Sequence, residues 1–154
     1  MLTITCDEMK AMDSYAVNNI GIPSIVLMEN AALKVIKNID LDSINSITIV
    51  CGIGNNGGDG LAIARHLILN KKMVDLFIIG NFDKGTKDFN VNLNILNNMD
   101  IDYIHISDDT DLSSLKTSVK NSDLTIDSVF GIGLTRDIEG MFHQAIEIIN
   151  ISCI

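Results

Sequence analysis

This chain of 154 residues is poor in the residue types that stabilise small secreted proteins or form linkers. It has three cysteines, one proline and no tryptophan. Cys6, Cys51 and Cys153 form no CxxC pair, so the sequence predicts neither a disulfide framework nor a zinc site. Few and unpaired thiols are typical of a reducing compartment, and we expect a cytoplasmic protein.

Basic residues are scarce as well. Eleven Lys and Arg stand against twenty Asp and Glu, which leaves a net charge of −9. Nucleic acids and anionic membranes attract an excess of Lys and Arg, so we expect neither as a partner. Charged residues from Asp7 onward interrupt the N-terminus too early for a signal peptide, and no apolar run approaches the roughly 18–20 residues of a membrane span. A phosphate-bearing ligand stays compatible with this charge, because backbone amides bind phosphate locally.

The 47% of apolar residues is enough for a sizeable core, and the length predicts one domain over residues 1–154. Thr5 and Glu8 have capping-box spacing, and Ser24 is placed to cap a second helix. Apolar periodicity predicts helices and strands that alternate after two N-terminal helices, which indicates an α/β protein with a parallel sheet. We predict helices near 7–19, 25–38, 61–70, 86–98, 111–120 and 141–150, and strands near 47–51, 74–79, 103–106 and 124–128.

The segment 52–60 carries five glycines directly after the first predicted strand. A strand, a glycine loop and a helix are how α/β proteins hold phosphate. The spacing fits GxGxxG, but Asn81 stands where a dinucleotide fingerprint has an acidic residue, and no GK[ST] follows. A hydride-transferring NAD dehydrogenase and a P-loop kinase are therefore disfavoured. A tight turn without a ligand would not need the neighbouring amides Asn55 and Asn56.

A second glycine-bearing loop follows the fourth predicted strand. A doubly wound order places the first and fourth strands side by side, so both loops converge on one crevice at the carboxyl edge of the sheet. Asp127, at the end of the fourth strand, is placed either to coordinate a cation or act as acid–base, or to cap the next turn. Asp59 is equally well read as a helix cap or as a site residue.

Other polar residues have simpler interpretations. Arg136 and Asp137 either close over a ligand or lie in solvent. Lys84, Lys87 and Asp88 are predicted to be solvated. The histidines lack metal-ligand spacing, and we interpret His66, His105 and His143 as surface or core-edge residues. Met9, Met12 and Met28 are predicted core residues, although helices one and two also offer an apolar face for a homodimer.

Three motifs make the chain resemble the YjeF N-terminal family, the NAD(P)H-hydrate epimerases. Residues 52–60 look like the family's GxGNNGGDG loop. Residues 27–32, in the second helix, are similar to its LMENA segment. Residues 127–134 are similar to its DxxFGxGL loop.

The resemblance implies a Rossmann-like three-layer α/β/α fold with a mostly parallel sheet and two N-terminal helices. It implies epimerisation at C6 of the hydrated nicotinamide ring of NADHX and NADPHX, which are damaged forms of NADH and NADPH. The R and S forms are interconverted so that an S-specific, ATP- or ADP-dependent dehydratase restores the coenzyme. Such a dehydratase is expected C-terminal to this domain in a longer parent protein.

The resemblance also implies which residues act. Potassium is the implied ion, with Asn56 and Asp127 as ligands, and hard oxygen donors suit it. Asp59 is the candidate acid–base residue. The implied substrate-binding residues come from the two loops: Asn55, Asn56, Gly57, Gly58, Asp59, Gly131, Ile132, Gly133, Leu134, Thr135, Arg136 and Asp137.

One departure from the family pattern bears on activity. Family members continue with a strand and an Asp-Ile/Val-Pro-Ser-Gly motif, which would fall beyond Ile154. We therefore expect a C-terminally incomplete domain that lacks one substrate residue and one potassium ligand, and that is inactive or self-associating alone. The alternatives are a non-catalytic nucleotide-binding or protein-interaction module of the same fold, and a flavin binder, which the scarcity of aromatics disfavours.

Overall fold

A computed structural model describes residues 3–135 and 137–151. Two N-terminal helices, α1 (Cys6–Tyr15) and α2 (Ser24–Lys37), are joined through a π-helical segment, Ala16–Ile20. Helices and strands then alternate to the end of the described chain. They are β1 (Ser46–Cys51), α3 (Asn55–Leu69), β2 (Met73–Ile79), the short 3-10 helix Phe82–Lys84, α4 (Lys87–Asn98), β3 (Ile104–Ile106), α5 (Asp109–Asn121), β4 (Leu124–Ser128) and α6 (Gly140–Ile151).

The four strands form a parallel sheet in the order β3-β2-β1-β4. β1 lies between β2 and β4, and every one of its residues after Ser46 is buried. Its side chains alternate, so that Ile47, Ile49 and Cys51 enter one core and Val50 enters the other. The predicted neighbourhood of β1 and β4, on which the crevice depends, is confirmed.

Helices cover both faces of the sheet and complete three layers. On one face α2, α3 and α4 pack through Ala32, Leu61, Leu67, Phe89 and Leu96. On the other face α5 and α6 bury the apolar side chains Leu112, Leu115, Val119, Ala145 and Ile149. Burial of such side chains contributes roughly 1.5–3 kcal/mol each before the entropy of ordering is subtracted. The α/β architecture predicted from alternation is confirmed.

Helix starts differ from the prediction in two places and agree with it in a third. α3 begins at Asn55, so most of the predicted glycine loop is its first turns. Ser24 is the first helical residue of α2 and makes no capping hydrogen bond, because Pro23 occupies the N-cap. α1 keeps the predicted capping box, with Thr5 Oγ1 accepting from Glu8 N at 3.2 Å and Glu8 Oε2 accepting from Thr5 N at 2.7 Å.

The core prediction was wrong for α1. Met28 is buried as expected, but Met9 and Met12 are exposed, and within the described chain α1 has no buried residue. The face of the sheet that carries α2, α3 and α4 is already covered by these helices, so it leaves no apolar surface for α1 to bury.

No helix in the described part of the chain is long and apolar enough to cross a membrane.

Candidate functional site

Three backbone segments meet at the carboxyl edge of the sheet. Gly52 N donates to Ser128 O at 3.0 Å, which joins the ends of β1 and β4. Thr86 N donates to Ile53 O at 3.0 Å, which ties the start of α4 to the same turn. The edge is therefore a connected frame of backbone rather than a set of separate loops.

The glycines of segment 52–60 bring α3 unusually close to the strands. A Cβ at Gly57 would lie 1.7 Å from Gly52 O, and one at Gly60 would lie 2.6 Å from Cys51 Sγ. Neither residue has a positive φ, so close approach, and not a special backbone conformation, requires glycine here. We name residues 52–60 and 128–131 the cradle.

Asn56 holds the two loops of the cradle together. Its Nδ2 donates to Phe130 O at 3.0 Å, and a Cβ on Gly131 would lie 3.3 Å from Asn56 Cβ. The amide nitrogen is therefore engaged within the protein, which leaves the amide oxygen for a ligand. The strand order predicts that the loops after β1 and β4 converge, and this hydrogen bond joins them directly.

A cavity of about 750 Å3 opens over the cradle, which is large enough for a nucleotide. Most of the predicted substrate-binding residues line it: Asn55, Asn56, Asp59, Gly131, Ile132, Gly133, Leu134 and Thr135. Gly57 and Gly58 are buried in α3 behind this surface. Asp137 lines a smaller neighbouring cavity of about 380 Å3 with Phe130 and Leu134. Arg136 lies outside the described residues.

The N-terminus of α3 faces this cavity without a side-chain cap. Gly54 occupies the N-cap, so no capping oxygen engages the first N–H groups of the helix. Asn55 and Asn56 are the first two helical residues and both line the cavity. Free N–H groups and the partial positive charge of a helix start suit an anion such as a phosphate.

Asp127 lies at the end of β4, exposed, with one oxygen engaged. Its Oδ1 accepts from Val129 N at 2.9 Å, so the capping geometry that competed with a functional role is present, and Oδ2 stays available. Asp127 and Asn56 hold adjacent residues of one loop, Val129 and Phe130. Amide and carboxylate oxygens are the donor types that suit a hard cation such as potassium. In the described chain no group of three or more His, Cys, Asp or Glu side chains is placed to hold a metal ion.

Asp59 is half-buried in the second turn of α3 and lines the main cavity. Burial raises its pKa to about 6, with smaller contributions from the negative charges of Asp13 and Asp88. A carboxyl group that titrates near neutral pH is suited to giving and taking a proton.

Asp88 was predicted to be solvated, and this was wrong. It is only 7% exposed, and its carboxylate has no hydrogen bond or ion pair with any described residue. It lines a second cavity of about 480 Å3 with Asp13, Asp59 and Asn55. Asp88 is buried because α4 packs directly against α3. Its negative charge is tolerated there because it is the second residue of α4, and a helix start favours negative charge. Lys84 and Lys87 are exposed, as predicted.

A model of the family described as "YjeF-related protein N-terminus" matches residues 24–153. The chain belongs to the YjeF N-terminal family. Proteins named NAD(P)H-hydrate epimerase are similar to it. Those of Anaerococcus prevotii and Oenococcus oeni are each 40% identical, over 150 and 156 residues, which is 97% of this chain and 69% and 70% of theirs. That of Levilactobacillus brevis is 39% identical over 96% of this chain and 65% of its own.

A solved structure shares the fold. The crystal structure of the yeast protein YNL200c superposes with a TM-score of 0.73 at 22% identity, over 96% of this chain and 64% of that one. The chain thus spans about two thirds of the length of these YjeF N-terminal relatives.

The YjeF N-terminal motifs explain the cradle, but α1 also lines the cavity, which sequence reasoning missed. Lys10 and Asp13 of α1 both face it, as does Thr86. The two α1 residues are three apart and share one helix face. The sequence contains this spacing, but the apolar residues Met9 and Met12 of the same helix favoured the prediction that α1 packs against the core.

α2 of the YjeF N-terminal domain is fastened to α3 by charge. Glu29 Oε2 accepts from Arg65 Nη2 at 2.5 Å, and Glu29 Oε1 lies 2.6 Å from His66 Nε2. Burial by itself raises the pKa of Glu29, but the hydrogen bonds from His66 and Arg65 outweigh it and the pKa is lowered. The glutamate of the LMENA segment therefore holds a helix in place and lies outside the cavity lining.

Proposed function

We propose that the protein is an NAD(P)H-hydrate epimerase that interconverts the R and S forms of NADHX and NADPHX. The observation that carries the proposal is the hydrogen bond from Asn56 to Phe130 O, because it unites both family loops over one cavity. The names of the relatives supply the reaction, and the cavity supplies a place for the dinucleotide.

The proposed chemistry needs a group that both gives and takes a proton. Epimerisation breaks and re-forms a bond at one carbon, so a proton passed to the departing group is recovered when the bond re-forms. Asp59 suits this role, because its pKa of about 6 leaves both protonation states populated near neutrality. The uncapped start of α3 is proposed to receive the pyrophosphate.

Potassium is the proposed ion, held by the free oxygens of Asn56 and Asp127. When bound, it would offset phosphate charge in an acidic protein. The residues themselves hold the loop after β4 in position through Val129 and Phe130. A cytoplasmic location, the C-terminal dehydratase domain and the single incomplete domain remain predictions.

The first test follows conversion of R-NADPHX to the S form by chromatography in potassium buffer and in sodium buffer. In the chain extended by the C-terminal third of the Anaerococcus prevotii relative, we expect potassium-dependent conversion and a roughly 10²–10⁴-fold lower rate for Asp59→Asn, which is the usual contribution of an acid–base group. Asp102→Asn, at an exposed residue between α4 and β3 that lines none of the cavities described above, is the matched control and should stay within about threefold.

A chimera isolates what the relatives' additional length contributes. The C-terminal third of the Anaerococcus prevotii relative is joined to this chain and assayed beside it. Conversion by the chimera alone would support the expectation that the chain is inactive by itself. Nucleotide binding without conversion by either protein would favour the non-catalytic module.

We also propose a homodimer through the outer face of α1. Met12 and Tyr15 are 58% and 60% exposed, and a ten-residue helix without buried residues gains little stability from its own chain. Light scattering after gel filtration tests this. A dimer that becomes a monomer in Met12→Lys supports the proposal, and a monomeric unmodified chain contradicts it.

A further inference from the structure

α1 turns two charged side chains towards the main cavity and leaves two large apolar side chains exposed. Lys10 and Asp13 line the main cavity, whereas Met12 and Tyr15 point away and are largely exposed. Helices that cover a core normally turn their apolar stripe inward. The inward face of α1 therefore suits a polar ligand in the cavity better than it suits the protein core.

The charge of the cavity makes Lys10 distinctive. Among residues 3–135 and 137–151, Lys10 is the only basic residue that lines the cavity. The acidic residues Asp13 and Asp59 line the same cavity. A ligand with two phosphates would add further negative charge to a chain that already carries −9. The start of α3 offsets only part of that charge, roughly half of one elementary charge.

The ammonium group of Lys10 is also unengaged. No described carboxylate lies within 4.0 Å of it, although Asp13 is three residues along the same helix. Lys10 lines the same cavity as the uncapped start of α3, and no described carboxylate there pairs with its charge. Nor does α1 bury any of its described residues, so the position of Lys10 is not a by-product of core packing.

We infer that Lys10 is a substrate-binding residue, which engages the phosphate groups of the nucleotide from α1 while the start of α3 engages them from the sheet edge. This inference rests on the proposed function, because it takes the ligand to be a phosphate-bearing dinucleotide. In this inference α1 contributes a positive charge for phosphate binding through Lys10. Proton transfer is a separate role, which belongs to Asp59.

Titration calorimetry tests the inference without relying on turnover. The probes are ADP-ribose, which carries two phosphates, and adenosine, which carries none. The variants are Lys10→Ala, Lys10→Glu and Lys10→Arg, with Lys116→Glu as the control. Lys116 is exposed on α5, on the opposite face of the sheet, and its substitution changes the net charge by the same amount.

We expect Lys10→Ala to weaken ADP-ribose binding about fivefold and Lys10→Glu about twentyfold, as for one partly solvated ion pair. Lys10→Arg should stay within about twofold, as should Lys116→Glu and all binding of adenosine. The loss should shrink when KCl rises from about 50 to 300 mM, because salt screens the pair. For NADPHX turnover by the chain extended with the relative's C-terminal third, KM should rise in Lys10→Ala with kcat unchanged.

Two results would overturn the inference. One is ADP-ribose binding by Lys10→Glu that equals binding by Lys116→Glu. The other is an equal loss of adenosine binding, which would mean that α1 had merely been disturbed. Failure of the unmodified chain to bind ADP-ribose would instead overturn the proposed function, and this inference with it.

Discussion

The cradle and α1 line the same cavity but are built in opposite ways. In the cradle, α3 approaches β1 so closely that Gly57 and Gly60 have no room for a methyl group. In α1, none of the described residues is buried. We propose that the difference reflects a division of labour, in which the close-packed cradle positions the ligand and α1 adds charge and a surface for a second copy of the chain.

Four changes test this comparison, and the largest effect is expected in the cradle. Gly57→Ala places a Cβ 1.7 Å from Gly52 O, which is backbone and has no side chain to move aside. We expect the free energy of unfolding to fall by about 3 kcal/mol or more. Urea denaturation measures it.

Gly133→Ala is the matched control for the cradle variant. A Cβ there meets no atom within 4 Å, and the residue lies in the loop after β4. Its unfolding free energy should stay within about 0.5 kcal/mol of the unmodified chain. Equal stability of the two alanine variants would mean that the cradle is no tighter than an ordinary loop.

The second change concerns the contact that fastens α2 to α3. Glu29→Leu leaves the partly buried Arg65 and His66 without their carboxylate, and we expect a loss of about 2 kcal/mol at pH 7. The pKa of Glu29 is lowered in the folded state, so its contribution is full above the unfolded value near 4.5 and is lost as pH falls through the lower folded value. Denaturation at pH 7 and pH 3 measures both effects.

Glu147→Leu is the control for that helix contact. Glu147 lies 3.6 Å from His143 with both side chains mostly exposed, so its removal should cost less than about 0.5 kcal/mol. A similar loss in both variants would show that α2 is held by its apolar contacts and not by Glu29.

The third change is at Asp59, which lines the cavity shared by the two regions. Folding raises its pKa to about 6 from an ordinary 3.8, so the folded protein binds the proton more tightly than the unfolded chain does. Its favourable contribution is full below about pH 4 and is lost as pH rises through 6. Asp59→Asn should therefore be more stable than the unmodified chain by about 1 kcal/mol at pH 7.5, after allowance for solvent screening, and equal to it at pH 4. Equal stability at both pH values would contradict the raised pKa.

The smallest effect is expected on the outer face of α1. Met12→Lys and Tyr15→Lys replace side chains that are 58% and 60% exposed, and the unfolding free energy of the monomer should change by less than about 0.5 kcal/mol. Denaturation at low protein concentration measures this. A loss above 1 kcal/mol in dilute monomer would show that α1 packs on its own chain after all.

The fold was largely predictable, because alternating strands and amphipathic helices have few arrangements. The strand pair β1–β4 followed from the connection rules, and with it the meeting of the two loops. The strand β4, Leu124–Ser128, coincides with its prediction, because apolar residues there end at Asp127 and Ser128. Short elements were less certain. The observed β3 is the three residues Ile104–Ile106, one fewer than predicted.

The site was predictable where a motif lies on one element and less so where elements meet. Asn55 and Asn56 were identified from the loop itself. Asp88 was not, because its burial depends on how α4 lies on α3. The sequence also did not show why positions 57 and 60 are glycine. The short distances from a Cβ at these positions to Gly52 and Cys51 show that close packing requires it.

The sequence by itself determined the α/β class, the parallel order of the strands and the two glycine-bearing loops, because these depend on periodicity and on short-range backbone preferences. Tertiary structure alone decided which side of α1 faces inward, that Lys10 and Asp13 join the cavity, and that Asp59 lies beside two further carboxylates. The physical reason is that burial and charge proximity are set by elements far apart in the chain, and no local pattern records which face of a helix the rest of the protein leaves uncovered.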